Sequence, residues 1–137
     1  MAVKTPLKWV GSKVRIMPQL RDHLPEGKRL VEPFAGSCAV MMNTDYDEYL
    51  IADLNPDLVN LYKVMAYYTD AFLNELDLMF SAGALGDLES RAAYYYAIRE
   101  AFNLSGKAIG SESVEAAVRF MYLNPVCKCK RYAVDLW

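Results

Sequence analysis

The chain is poor in the residues that tie small proteins together through disulfides or metals: three cysteines and one histidine in 137 residues. An odd number of cysteines, with Cys127 and Cys129 in "CKCK", argues for reduced thiols and a cytoplasmic setting rather than a disulfide framework. Cys127-x-Cys129 has no second pair of ligands and His23 stands alone, so no metal site is expected. No apolar run approaches the length of a membrane span, and the start, "MAVKTPLKWVGSK", lacks the apolar core of a secretion signal. Net positive charge is missing as well: 15 Lys and Arg face 17 Asp and Glu. A nucleic-acid partner would have to be held by a local basic patch, against the mean charge. No two of the six prolines are adjacent, and no repeat or low-complexity tract is present.

What is present is a globular composition, 54% hydrophobic and 23% charged, in a chain long enough for one domain with a real core. "KRLVEPF" (28–34) reads as a short buried strand, followed by a turn at Gly36 and a helix starting in "SCAVMMN". "YLIADLN" (49–55) reads as a second strand that ends in Asp53. "PDLVNLYKVMAYYTDAFLNEL" (56–76) reads as one helix, with Asn55 as its cap and Pro56 in its first turn. Strand, helix, strand, helix is the unit of a parallel α/β sheet. The second half changes character: 88–103 and 113–124 predict helices joined by the loop "LSGKAIGSE".

In an open parallel sheet, ligands sit beyond the carboxyl ends of the strands, and the first turn must let backbone come close to them. Gly36 permits a sharp turn and a close approach. Asp53 follows at about the spacing at which nucleotide-binding α/β folds place the acid that grips ribose hydroxyls. A strand-terminal acid that merely caps the next helix is the competing reading.

Four blocks in order carry a resemblance: "LKWVGSK" (7–13), "LVEPFAGSCAVMMNTDYDEYLIADLNPDLVNLY" (30–62), "YYYAIREAFN" (94–103) and "RFMYLN" (119–124). Together they resemble the amino-terminal half of Dam-type (class alpha) DNA adenine-N6 methyltransferases, which use S-adenosyl-L-methionine (AdoMet). The resemblance implies a partial Rossmann-like α/β methyltransferase sheet over 1–80 and a small helical, DNA-recognition-like portion over 81–137. It also implies cofactor roles for Trp9, Gly11 and Lys13, for Glu32, Pro33, Phe34 and Gly36, for Asp53 as ribose acid, and for Leu54 against adenine. A Lys13 ammonium can pair with a carboxylate, and an indole face suits a cation or a purine, although Trp9 is equally a core residue in form. The family motif is F-x-G-x-G; Cys38 stands where its second glycine is usual, adding bulk beside the cofactor. Double-stranded DNA is the implied partner, with Arg91, Arg119, Tyr122 and Asn124 as candidate contacts. Arg99, Lys107, Lys128, Lys130 and Arg131 add basic charge nearby.

Adenine-N6 methyl transfer in the family requires an Asp/Asn-Pro-Pro-aromatic loop to accept from the adenine amine and stack the extruded base. These 137 residues contain no such tetrapeptide: Asn55-Pro56 continues as Asp57-Leu58, and Asn124-Pro125 as Val126-Cys127. The tail "PVCKCKRYAVDLW" also departs from the family's usual continuation, as an inserted base near codon 125 would make it do. The expectation is therefore a truncated family member, without catalytic residues and inactive alone. The alternatives are a non-catalytic module that binds AdoMet or a methyltransferase, and one half of an enzyme completed by a second chain. An incomplete sheet would leave an apolar face and edge exposed, which predicts a homo-oligomer.

Overall fold

The structure, a computed structural model, describes residues 2–105 and 112–128, with side chains up to Asn124. Lys107, Cys129, Lys130 and Arg131, and the side chains of Cys127 and Lys128, lie outside it. The chain divides into two compact units, Met1–Leu54 and Asn55–Trp137.

Two parallel strands organise the first unit. β1 (Arg29–Glu32) pairs with β2 (Glu48–Ile51), Arg29 opposite Glu48 and Glu32 opposite Ile51. Arg29 Nη2 lies 2.5 Å from Glu48 Oε2, so the register begins with an ion pair. The ladder runs past the strand ends, where Ala52 N–H donates to the Glu32 carbonyl and Ala35 N–H to the Ala52 carbonyl, both at 2.9 Å. Strand alternation sends Leu30 and Glu32 inward and leaves Val31 exposed. Leu30 joins Met17 from α1 (Met17–Arg21) and Val40 in a core flanked by Leu20, Leu24, Tyr46 and Tyr49. His23 is exposed in the turn that follows α1.

The helix predicted from "SCAVMMN" does not form. Residues 37–40 are turns, followed by a short 3-10 helix, Met41–Asn43. Cys38 takes φ +54°, a left-handed conformation that no α-helix continues through. Asn43 closes the loop instead. Its Oδ1 accepts from Val3 N–H at 2.6 Å, and its Nδ2 donates to the carbonyls of Val3 at 3.0 Å and Ala39 at 2.9 Å.

The second unit is helical: α2 (Pro56–Tyr67), α3 (Thr69–Gly83), α4 (Leu88–Leu104) and α5 (Val114–Lys128), with α5 packed against the other three. Asn55 caps α2 as the sequence predicts, its Oδ1 accepting from Asp57 N–H at 3.0 Å and Leu58 N–H at 3.2 Å. The single helix expected over 56–76 is broken at Tyr68 (φ -131°, ψ 36°). There Thr69 Oγ1 donates to the Met65 carbonyl at 2.7 Å, a local bond that competes with the helical ladder. Leu58, Leu61 and Val64 of α2, Phe72 and Leu76 of α3, and Ala117, Val118 and Tyr122 of α5 are buried. Asn60, also buried, exchanges two 2.9 Å bonds with the backbone of Ser113 at the start of α5. The division expected near residue 80 falls inside α3.

A small parallel sheet with helices makes the chain α/β-like. Among the described residues, no helix is long and apolar enough to cross a membrane. Replacing Asn43 with Ala removes two part-buried bonds to the Val3 backbone and the buried bond to the Ala39 carbonyl, and should cost about 1–3 kcal/mol. Chemical denaturation of the variant beside the parent measures this; equal midpoints and slopes would show that the staple is dispensable.

Candidate functional site

Both strands end at the same level, and the residues just past them meet. Gly36 N–H donates to Asp53 Oδ2 at 2.9 Å, a charge-assisted bond that holds the turn after β1 against the end of β2. Gly36 takes φ +51°, where a side chain is strained. A Cβ at this position would also lie 3.1 Å from Trp9 Cδ1. The space that a missing side chain leaves is thus taken by an indole, where the turn pattern points to a ligand. Asp53 does not serve as the cap seen on α2, since Asn55 fills that role.

The N-terminal block is tied to the same turn by two further bonds. Gly11, at φ +76°, lets the chain turn back so that Ser12 N–H donates to the Trp9 carbonyl at 3.2 Å. Lys13 then reaches across, its Nζ donating to the Phe34 carbonyl at 3.3 Å. Ser37 Oγ donates to Ser12 Oγ at 3.0 Å. Sequence reasoning missed these two serines; a small polar residue next to each glycine was the only signal available.

Glu32 sits beneath the turn with 6% of its surface exposed. Its Oε2 accepts from Met41 N–H at a long 3.4 Å, while Oε1 is buried without a hydrogen-bond partner. Burial pushes the Glu32 carboxyl above its ordinary value, against the Met41 N–H, the Lys13 charge and the Val40 N–H, which pull it down. Pro33 is exposed, and apolar surface flanks these groups: Phe34 is 71% exposed and Leu54 91%. Cys38 is buried, and its left-handed φ accounts for the glycine usual at this position. The set combines two carboxylates, an ammonium, an indole and two open apolar faces. It suits a ligand carrying hydroxyls, a carboxylate and a flat ring system.

The sequence-predicted cofactor residues Trp9, Gly11, Lys13, Glu32, Pro33, Phe34, Gly36, Asp53 and Leu54 therefore come together at one end of a two-stranded sheet. The four candidate DNA contacts are less uniform. Arg91, on α4, is exposed and its Nε donates to the Gly86 carbonyl at 3.1 Å. Arg119 pairs with Glu115 one turn away on α5. Tyr122 is 3% exposed, edge-on to Phe80 and Tyr94 with its hydroxyl against Gly83, so it packs the helical unit from inside. Asn124 is partly exposed. Exposed Arg99, which stacks 4.9 Å from the Tyr96 ring centre, adds a cation on α4.

Comparison with known proteins identifies the family. Residues 9–136 match the family described as D12 class N6 adenine-specific DNA methyltransferase. The chain is 49% identical over 122 residues to the Retron Ec67 DNA adenine methylase of Escherichia coli, covering 89% of this chain and 40% of that protein. It is 40% identical over 121 residues to the DNA adenine methylase of Serratia marcescens, covering 88% and 41%. It is 37% identical over 118 residues to the DNA adenine methylase of Escherichia coli K12, covering 86% and 39%. It thus spans about two fifths of the length of these curated relatives. With the family match running through nearly all of its residues, the chain belongs to the D12 class of N6 adenine-specific DNA methyltransferases.

Proposed function

We propose that Met1–Leu54 is the cofactor-binding part of an enzyme that transfers a methyl group from AdoMet to adenine N6 in DNA, built on a Rossmann-like sheet. One observation carries the reading: Trp9, Lys13, Gly36 and Asp53, distant in sequence, are joined through one turn at the carboxyl ends of two parallel strands. The Asp53 carboxylate would take the ribose hydroxyls, Lys13 the carboxylate of the methionine moiety, Leu54 and Phe34 the flat faces of adenine. Trp9 would support the turn from behind Gly36. AdoMet, when bound, supplies an electrophilic methyl group; these residues orient it. Arg91, Arg99, Arg119 and Asn124 would contact DNA, mainly its phosphates. Tyr122 would hold α5 in place.

The same reading makes these 137 residues inactive by themselves. No Asp/Asn-Pro-Pro-aromatic tetrapeptide is among them, and that loop is what would accept from the adenine amine and stack an extruded base. That tetrapeptide would come from further sequence or from a second chain, which makes a split enzyme the second reading. A non-catalytic module that binds AdoMet or another methyltransferase is the remaining alternative. Incubation with radiolabelled AdoMet and mixed-sequence DNA should leave adenine unlabelled. Label at N6 from a preparation free of host methyltransferase would overturn this.

Calorimetry with S-adenosylhomocysteine tests the pocket. Asp53→Ala should weaken binding by about 1–3 kcal/mol, the scale of a lost charge-assisted hydrogen bond. Asn55→Ala should leave binding intact and cost about 1 kcal/mol of stability as a lost helix cap. Identical titrations for Asp53→Ala and the parent would remove Asp53 from the site.

The outer face of the sheet presents Val31 and Leu50, each 55% exposed. We propose that a second copy of the chain covers it, because adjacent β-branched and aliphatic side chains on an open sheet favour burial. Light scattering at micromolar concentration should report a dimer or larger species, and a clean monomer would exclude that association.

A further inference from the structure

Glu32 is the one buried carboxylate at the strand ends, and its surroundings do not satisfy a charge. Oε1 has no hydrogen-bond partner; Oε2 accepts from Met41 N–H at a long 3.4 Å, and the Val40 N–H is the one other backbone donor that acts on the carboxyl. The charged group facing it is Lys13, from the 3-10 segment Lys13–Ile16, whose Nζ donates to the Phe34 carbonyl at 3.3 Å. Asp53, the other acid at the strand ends, accepts from Gly36 N–H. The loop from Pro33 to Asn43 brings only the Cys38 thiol as a further titratable group. A carboxylate in such a place is poorly solvated, and it keeps its charge only when a cation or enough donors reach it.

We propose that Glu32 carries a proton in the unliganded protein and releases it when a cationic ligand enters, so that cofactor binding is coupled to proton release. The proposal rests on the cofactor reading above and adds to it the regulation of that site by pH. The O–H bond of the Glu32 carboxyl breaks, the proton passes to solvent, and the carboxylate left behind pairs with the positive charge of the ligand's ammonium. Nothing is oxidised or reduced. The direction agrees with burial raising the free carboxyl. The sign follows from linkage: a ligand that prefers ionised Glu32 loses affinity as pH falls through the raised value of the free protein. The loss approaches about tenfold per pH unit for one coupled proton.

Two measurements on the full chain decide it. First, carboxyl-labelled glutamate is titrated by carbon NMR, with Glu32→Gln identifying the Glu32 signal. Titration of that signal in the ordinary carboxylate range overturns the proposal whatever the ligand does. Second, S-adenosylhomocysteine binding is measured by calorimetry from pH 5 to 8 in two buffers of different ionisation heat. The expected result is proton release and a falling affinity at acid pH for the parent, both absent in Glu32→Gln. Proton release that persists unchanged in Glu32→Gln overturns the assignment while leaving the cofactor reading intact. A raised titration with no ligand binding at any pH sinks the cofactor reading, and the ligand linkage with it.

Discussion

The bond from Gly36 N–H to the Asp53 carboxylate is the constraint on which the site depends. A two-stranded sheet is marginal by itself, and the ladder between β1 and β2 covers only four residue pairs. Beyond it the chain must still hold two turns in register. The ladder's last bonds, at Ala35 and Ala52, bring the strand ends level, and the Gly36–Asp53 bond then closes the gap between the turns. Because its acceptor is charged, it is stronger than a neutral backbone bond. Gly36 can occupy that place only because it lacks a Cβ, on two counts: its φ is left-handed, and Trp9 fills the space beside it.

From that bond outward, the N-terminal segment is tied to the turn by one bond to its backbone, one to a side chain and one packing contact. Lys13 lies on the Phe34 carbonyl, Ser12 on Ser37, and Trp9 on Gly36. Placing Lys13 there also sets the field at Glu32, whose burial is opposed by the lysine's charge and by two backbone N–H groups. The balance matters because the desolvation of a carboxylate is a large effect and each opposing one is smaller. Asn43 performs the mechanical counterpart. By holding Val3 and Ala39 it fixes the far end of the loop, so that Gly36 and Cys38 can keep left-handed backbone without the loop rearranging.

Much of this was legible in the residues. The two strands, the Asn55 cap and the helices over 88–103 and 113–124 follow from period and capping chemistry, signals that are local. The "SCAVMMN" helix and the unbroken helix over 56–76 do not form, for reasons that local pattern hides. Cys38 is not a residue type that favours a positive φ; the signal was the family glycine it replaces, read as room beside a cofactor rather than as a backbone conformation. Thr69 reads as an ordinary helix residue until its hydroxyl bonds the Met65 carbonyl. Tyr122 was the least legible. A tyrosine in "RFMYLN" is equally suited to stacking on a base and to packing on Phe80 and Tyr94, and only tertiary structure distinguishes the two.

Asp53 and Asn55 show how finely the two kinds of signal must be separated. Either residue type caps a helix well, and an acid before a helix gains further from the dipole. The sequence assigns the cap to the amide and leaves the acid open to a capping or a ligand role. The amide caps α2, and the acid accepts from Gly36. The division has a physical reason. Capping needs an oxygen at one fixed place, directly before Pro56, where the amide oxygen reaches the N–H groups of Asp57 and Leu58 without carrying charge. Joining two turns across a strand gap benefits from the stronger acceptor, and two residues earlier, just past the end of β2, the side chain reaches Gly36 N–H. The spacing of two therefore separates a structural oxygen from a charged one. The charge stays at the strand end, where a ligand's hydroxyls would find it.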